Sequence, residues 1–192
     1  GIQGFDIVNN VKNFTNYAVS VTDPNTIRYH LQRAVYEATN GRPGPVWIDI
    51  PMDIQGAEID LDTCPEFTPP TPKVTTNPED VDNLVNLISD AKRPLVVFGR
   101  GVKISNSQNK LLHLLKATNI PSISARMAND VFSPLSDHYF GMGGIRGRRA
   151  ATRIMKEADL LITLGTSNCY TFFGEDSECL DSNCKVAVVN ID

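Results

Sequence analysis

The chain has 192 residues, 41% hydrophobic and 21% charged, with 18 basic residues against 22 acidic ones and a net charge of -4. This suits a globular protein with one ordinary core or slightly more, and the acidic balance excludes the electrostatic footprint of a nucleic-acid or anionic-membrane binder. No apolar run reaches the roughly 20 residues of a membrane helix, and no signal-peptide pattern opens the sequence, so the expected compartment is the cytoplasm.

In chain order, the sequence starts at Gly1 without an initiator Met and stops at Asp192 directly after a strand-like run, which reads as a piece of something longer. An extended lead-in comes first. Asp23-Pro24 then predicts a helix start, with Ile27, Leu31, Ala34, Val35 and Ala38 on one face. The turn Gly41-Arg42-Pro43-Gly44-Pro45 leads into an apolar strand from Val46 to Ile50, predicted to be buried. Six of the 12 prolines fall between Pro51 and Pro78, and a stretch such as Pro65 to Pro72 can form neither helix nor central strand, so it reads as a linker.

Beyond the linker the pattern is regular. Asn77-Pro78-Glu79-Asp80 predicts a capped helix continued by Val81, Leu84, Val85 and Ile88. There follow a strand from Leu95 to Phe98, a glycine turn at Gly99-Arg100-Gly101, a helix bearing Leu111, Leu112 and Leu115, and a short strand from Ile120 to Ser124. A glycine cluster from Gly141 to Gly147 precedes a helix with Ala151, Ile154, Met155 and Ala158, and strands from Leu160 to Leu164 and Val186 to Ile191 close the chain. Helices alternating with unbroken apolar strands predict an α/β fold, a doubly wound and mostly parallel Rossmann-like sheet covered on both faces.

The cysteines Cys64, Cys169, Cys179 and Cys184 show no C-x-x-C spacing and read as free thiols, with Cys179 and Cys184 the closest pair. His30 and His113 fall within predicted helices and His138 in a loop, none beside a candidate nucleophile, so no catalytic role and no metal site is assigned to them.

The run Gly41-Arg42-Pro43-Gly44-Pro45-Val46-Trp47-Ile48-Asp49-Ile50-Pro51 resembles the signature that ends the pyrimidine-binding domain of thiamine diphosphate enzymes of the acetolactate synthase group. The resemblance extends to Ile2-Gln3-Gly4 through Val8 upstream and to Ala158-Asp159-Leu160-Leu161-Ile162-Thr163-Leu164-Gly165 downstream. It implies three segments: residues 1–60 the C-terminal part of the pyrimidine-binding domain, 61–76 a Pro-rich linker, and 77–192 a central Rossmann-like domain. The leftover helix and strand of the first domain belong with it. The family's activating glutamate would lie upstream of Gly1, and no Gly-Asp-Gly, the motif that holds its diphosphate and Mg²⁺, occurs here. The chain alone is therefore expected to be inactive and to bind neither thiamine diphosphate nor Mg²⁺. Gln3 matches a glutamine close to cofactor and substrate in such enzymes.

In flavin-containing relatives the central domain holds FAD in a structural role, and others use the groove for ADP or leave it empty. By resemblance Arg42 is a flavin contact, Gly99 and Gly101 a glycine turn, Gly144, Ile145 and Arg146 a loop along the flavin, and Asp192 an acid near the adenosine ribose. The chemistry agrees with an anion: glycines admit the backbone to a pyrophosphate, and Arg148 and Arg149 oppose a helix dipole unless an anionic ligand joins them. Against FAD, the family's middle glycine is Arg100, and a charged run after Gly165 is replaced by Thr166-Ser167-Asn168-Cys169-Tyr170-Thr171. A smaller adenine nucleotide or an empty groove is expected. The alternative is a tight loop whose arginines pair with Glu157, Asp159 or Glu175.

The implied parent is a homo-oligomeric enzyme acting on a small 2-oxo acid, which it decarboxylates or joins to a second carbonyl compound. The flavin-site departures suggest a decarboxylase or carboligase of less common specificity. The rival reading is a non-catalytic adenine-nucleotide-binding or purely structural α/β module.

Overall fold

The computed structural model describes residues 4–71, 76–133, 136–144, 146–174 and 180–191. The chain divides into two compact units, Gly1–Val74 and Thr75–Ile191.

In the first unit, α1 (Ile7–Val11) is capped by Asp6, whose carboxylate accepts from the Asn9 backbone N–H at 3.1 Å. It leads into β1 (Tyr17–Ser20). Both elements lie in the stretch predicted to be an extended lead-in. Asp23 is the predicted N-cap, but the turn it caps, Pro24–Thr26, is 3₁₀, and α2 runs over Ile27–Thr39. The strand β2 (Val46–Asp49) pairs with β1 in parallel, Tyr17 opposite Val46 and Ser20 opposite Asp49. A short α3 (Met52–Gln55) comes next.

Two strands about 4.8 Å apart offer α2 only a narrow floor. Of its predicted face Ala34 is buried, whereas Leu31 is 47% and Val35 65% exposed. For the same reason β2 is half-buried rather than buried, and Trp47 is exposed. The start of the predicted linker is not loose. Arg28 donates to the Leu61 carbonyl at 3.1 Å and pairs with Glu66, the Phe67 backbone N–H donates to Gln32 Oε1 at 2.8 Å, and the Phe67 ring rests between Tyr29 and Tyr36. Residues 28, 32 and 36 share one helical stripe, so residues 61–67 form a strap along α2.

The second unit opens with α4 (Pro78–Asp90), capped by Asn77 as predicted, with Glu79 and Asp80 in its first turn. Next come β3 (Pro94–Phe98), α5 (Gly101–Ile104), α6 (Gln108–Thr118) and β4 (Ser122–Ser124). The helix predicted to bear Leu111, Leu112 and Leu115 is α6, and the short α5 before it, which was not predicted, is set apart from it by Asn106 at φ 52. Then follow β5 (Tyr139–Met142), α7 (Arg149–Glu157), β6 (Leu160–Leu164), α8 (Tyr170–Phe173) and β7 (Lys185–Val189).

The five strands are all parallel, in the order β5-β4-β3-β6-β7. Alternate residues of β3 and β6 feed two cores. Leu95, Val97 and Leu161 pack with Ala151 and Met155 of α7 and with Phe172 and Phe173 of α8. Val96, Phe98, Leu160 and Ile162 pack with Val102, Leu111 and Leu115 of α5 and α6 on the opposite face. This is the doubly wound sheet expected. The edge strand β7 departs from it, with Val186 47% and Val188 57% exposed.

Candidate functional site

The chain leaves β3 toward β4 and β5 on one side, and leaves β6 toward β7 on the other, so the strand order reverses between β3 and β6. In open α/β sheets ligands gather outside the carboxyl ends of strands at such a switch point. Gly99 and Gly101 stand there, and here they serve packing. The Gly99 N–H donates to the Leu164 carbonyl at 2.8 Å and the Gly101 N–H to that of Gly165 at 2.9 Å. A Cβ on Gly99 would collide with the Gly165 carbonyl and lie 2.6 Å from Thr166 Cβ; one on Gly101 would lie 2.8 Å from Gly165 Cα. What approaches these glycines closely is the chain's own backbone. The Arg100 side chain between them is exposed.

One strand pair away, β5 and the loop before α7 enclose a depression of about 480 Å³, lined in part by Asn129, Tyr139, Met142, Arg146 and Arg148. Its floor is tied by Ser124 Oγ, which lies 2.8 Å from Asn129 Oδ1 and 2.8 Å from the Tyr139 hydroxyl. The Arg148 N–H donates to the Met142 carbonyl at 2.8 Å, and its alkyl stem lies over Gly141, which has φ 97. Arg148 is also the N-cap of α7, makes no side-chain cap, and is followed by Arg149 with no acid in the first turn. Glu157 pairs with Arg153 at 2.9 Å, and the Asp159 carboxylate accepts from the backbone N–H groups of Lys92 and Arg93. Two of the three acids proposed as partners for the loop arginines are thus engaged elsewhere, and Glu175 lies outside the described residues. Among the described residues, Arg146 and Arg148 present two cations to the depression without an ion pair.

Gly144, at φ 91, is buried against Phe172. Ser167 and Cys169 are exposed beside Asn168, whose Nδ2 donates to Thr163 Oγ1 at 3.0 Å while its buried Oδ1 has no hydrogen-bond partner. That orphan acceptor at the carboxyl end of β6 suits a ligand N–H or O–H. Sequence reasoning passed over it, because one asparagine in a polar loop carries no pattern. Arg42 belongs to the first unit, in the turn between α2 and β2. Gln3, Ile145, Cys179 and Asp192 lie outside the described residues. Among the described residues, Cys64, Cys169 and Cys184 form no disulfide with one another, and burial, followed by the charges of Asp159 and Asp181, pushes the Cys184 thiol up.

Residues 81–192 match the model of the central domain of thiamine pyrophosphate enzymes. The chain belongs to this family. It is 34% identical over 154 residues to an acetolactate synthase large subunit of Corynebacterium glutamicum, covering 79% of this chain and 25% of that protein. It is 31% identical over 182 residues to the acetolactate synthase isozyme 1 large subunit of Escherichia coli K12, covering 91% and 32%. A probable acetolactate synthase large subunit of Methanococcus aeolicus is 32% identical over 166 residues, covering 83% and 28%. The chain thus spans about a quarter to a third of the length of these relatives. Their names favour the thiamine pyrophosphate enzyme reading over a non-catalytic module, and they lend no support to the expected shift toward a less common specificity.

Among the described residues no three His, Cys, Asp or Glu side chains gather where they could hold a cation, so these residues do not fit a diphosphate-bound Mg²⁺. The two arginines of the depression do fit a phosphate. Among the described residues no helix is long and apolar enough to cross a membrane.

Proposed function

We propose that the chain is the central-domain part of a thiamine diphosphate- and Mg²⁺-dependent 2-oxo acid decarboxylase or carboligase of the acetolactate synthase kind, a lyase or transferase that works as a cytoplasmic homo-oligomer. Residues 1–60 are the C-terminal part of the pyrimidine-binding domain, 61–76 the connection, and 77–192 the central domain. The observation that carries the reading is the identity to acetolactate synthase large subunits over 79% to 91% of this chain. Thiamine diphosphate supplies the carbanion-stabilising chemistry of such enzymes. Apart from Gln3, proposed to lie near cofactor and substrate, this chain's residues supply a scaffold and a nucleotide site, and the chain alone does not turn over.

The nucleotide site centres on the depression beside β5. Arg146 and Arg148 take the phosphates of an adenine nucleotide beside Gly144; by resemblance alone, Ile145, Asp192 and Arg42 are also proposed as cofactor contacts. Gly99 and Gly101 build the turn at the switch point. With Ser167 and Cys169 where flavin-binding relatives carry charges, ADP is favoured over FAD: each missing charged contact costs about 1.5 to 3 kcal/mol, roughly one to two decades of affinity.

Two measurements test this. The whole enzyme, given thiamine diphosphate, Mg²⁺ and pyruvate, should release CO₂ or form a condensation product; silence across a panel of 2-oxo acids sinks the enzyme reading. The chain itself should melt at higher temperature with ADP than without it. A larger shift with FAD, or yellow purified protein, would overturn the preference for ADP.

A further inference from the structure

Two residues that line the depression beside β5, Asn129 and Tyr139, meet through Ser124, and the hydrogens of that group can be assigned one by one. The Asn129 amide is oriented by the Arg126 carbonyl, which can only accept, so Nδ2 faces it at 3.1 Å. The second hydrogen of Nδ2 goes to Met142 Sδ at 3.5 Å. That leaves Oδ1 toward Ser124, and an amide oxygen has no hydrogen to give. The single hydroxyl hydrogen of Ser124 therefore goes to Asn129 Oδ1 at 2.8 Å. Ser124 is fully buried and has no second hydrogen, so across the other 2.8 Å contact the Tyr139 O–H is the donor.

Tyr139 has then spent its one hydrogen on the floor of the depression. Its oxygen keeps the capacity to accept, and among the described residues no group donates to it. The ring is fixed by packing, its centre 5.7 Å from that of Phe98 and 6.4 Å from that of Phe132, so the hydroxyl is not free to swing away. The depression thus offers a bound molecule the cations of Arg146 and Arg148 and, from Tyr139, an acceptor where a tyrosine would ordinarily count as a donor. A phosphate oxygen, itself an acceptor, gains nothing from that hydroxyl. An O–H or N–H does.

We infer that Tyr139 makes the depression selective for a phosphorylated molecule that also carries an O–H or N–H donor, which the Tyr139 oxygen receives, over bare phosphate or pyrophosphate. This rests on the reading of Arg146 and Arg148 as the groups that hold phosphate. In an adenine nucleotide the donor comes from a ribose hydroxyl or from the exocyclic amine of the base. Ser124 and Asn129 are positioning residues: they touch no ligand, but they decide which way the Tyr139 hydrogen points.

Titration calorimetry on the full chain compares ADP with pyrophosphate in the unaltered protein, in Tyr139→Phe and in Ser124→Ala. Tyr139→Phe keeps the ring packing and should weaken ADP about three- to tenfold, the worth of one neutral hydrogen bond, with pyrophosphate unchanged. Ser124→Ala releases the Tyr139 hydrogen toward the phosphates, so pyrophosphate should bind more tightly, and that gain should vanish when Tyr139→Phe is added. A merely structural Ser124 would weaken both ligands instead. Three analogues identify the donor: 2′-deoxy-ADP and 3′-deoxy-ADP each lack a ribose hydroxyl, and IDP lacks the amine. The analogue that binds the unaltered chain more weakly by the same factor, and loses nothing further in Tyr139→Phe, lacks the group that Tyr139 receives. If Ser124→Ala unfolds, Tyr139→Phe and the analogues carry the test. Equal losses of ADP and pyrophosphate in Tyr139→Phe, no loss of either, or no analogue weaker than ADP would each overturn the inference while leaving the phosphate reading standing. If neither ADP nor pyrophosphate binds the unaltered chain, or both bind unchanged when Arg146→Ala and Arg148→Ala are combined, the phosphate reading itself fails and the inference falls with it.

Discussion

Asp159 and Arg93 are bonded in both directions: the Arg93 N–H donates to Asp159 Oδ1 at 2.8 Å, and the Asp159 N–H donates to the Arg93 carbonyl at 3.2 Å. The second carboxylate oxygen accepts from the Lys92 N–H at 2.8 Å, and the Asp159 carbonyl accepts from the Lys185 N–H at 3.0 Å. This one residue gathers the starts of β3, β6 and β7. Burial pushes its carboxyl up, but the Arg93 and Lys92 backbone donors and the Arg93 charge outweigh that and hold it below its usual 3.8. A carboxylate with a lowered value contributes stability that is complete above its ordinary range and is lost as pH falls through the lowered one. Asp159→Ala should cost about 1–2 kcal/mol in urea denaturation at pH 7, the low end for charge-assisted hydrogen bonds because the group is half-exposed. The difference should shrink below about pH 3.8.

Phe67 anchors the strap on α2. Its ring lies 5.6 Å from that of Tyr29 and 5.4 Å from that of Tyr36, and its N–H is held by Gln32. Phe67→Ala should destabilise the first unit by about 1–2 kcal/mol, reflecting half-burial and two aromatic contacts. Hydrogen exchange over residues 61–67 should accelerate in the variant. Unaltered protection there would show that Arg28 and Cys64 hold the strap without the ring.

His30 sits inside the same aromatic group, with Nδ1 2.6 Å from the Tyr17 hydroxyl and its ring edge-on to Tyr29. Burial, then the neighbouring Arg33 charge, holds its pKa below the usual 6.5. For a base the lowered value means that folding favours the neutral ring, so stability is complete above about pH 6.5 and is lost as pH falls through the lowered value. Arg33 is itself fixed over the Tyr17 ring, 4.5 Å from its centre, and bonded to Glu37 at 3.3 Å, so it cannot easily withdraw from a second cation. The melting temperature should therefore fall between pH 7 and 5, and His30→Asn should flatten that slope. An equal slope in both proteins would assign the effect to other groups.

Much of the second unit was legible because its strands are continuous apolar runs. Leu95, Val96, Val97 and Phe98 are fully buried, as a central parallel strand with helices on both faces requires. The helix caps at Asn77 and Asp23 were equally plain. The strand β5 was not, because Gly141 interrupts it and it lies at the sheet edge, where Phe140 is exposed. In the first unit β1 is half-buried along its length and so lacks a clear alternation, while the strap is hydrogen-bonded by side chains 33 to 38 positions away in sequence. The glycines of the candidate site were found, but the packing role of Gly99 could not be read without knowing that β6 lies beside β3.

Gly99→Ala tests that packing role. The new methyl meets a backbone carbonyl and the Thr166 Cβ, neither of which can rotate away, so the turn between β3 and α5 must shift. The expected cost is about 1–3 kcal/mol, as for overpacking in a tight interior. The loss should appear in calorimetric unfolding with no nucleotide present. A variant that melts normally yet fails to bind ADP would return Gly99 to the role of ligand approach.

Arg148 joins two effects that separate by charge. As the N-cap of α7 with no side-chain cap, followed by Arg149, it places positive charge on the positive end of a nine-residue helix. Arg148→Ser removes that charge and supplies a capping hydroxyl, so the ligand-free protein should gain about 0.5–1 kcal/mol in stability. If the same guanidinium takes a phosphate, ADP affinity should fall about tenfold in the same variant. A cation that weakens the fold and strengthens binding is kept for its ligand. Arg148→Ser that gains stability and keeps its ADP affinity would place the phosphate on Arg146 instead, and Arg146→Ala, which leaves the helix cap untouched, distinguishes the two by calorimetry.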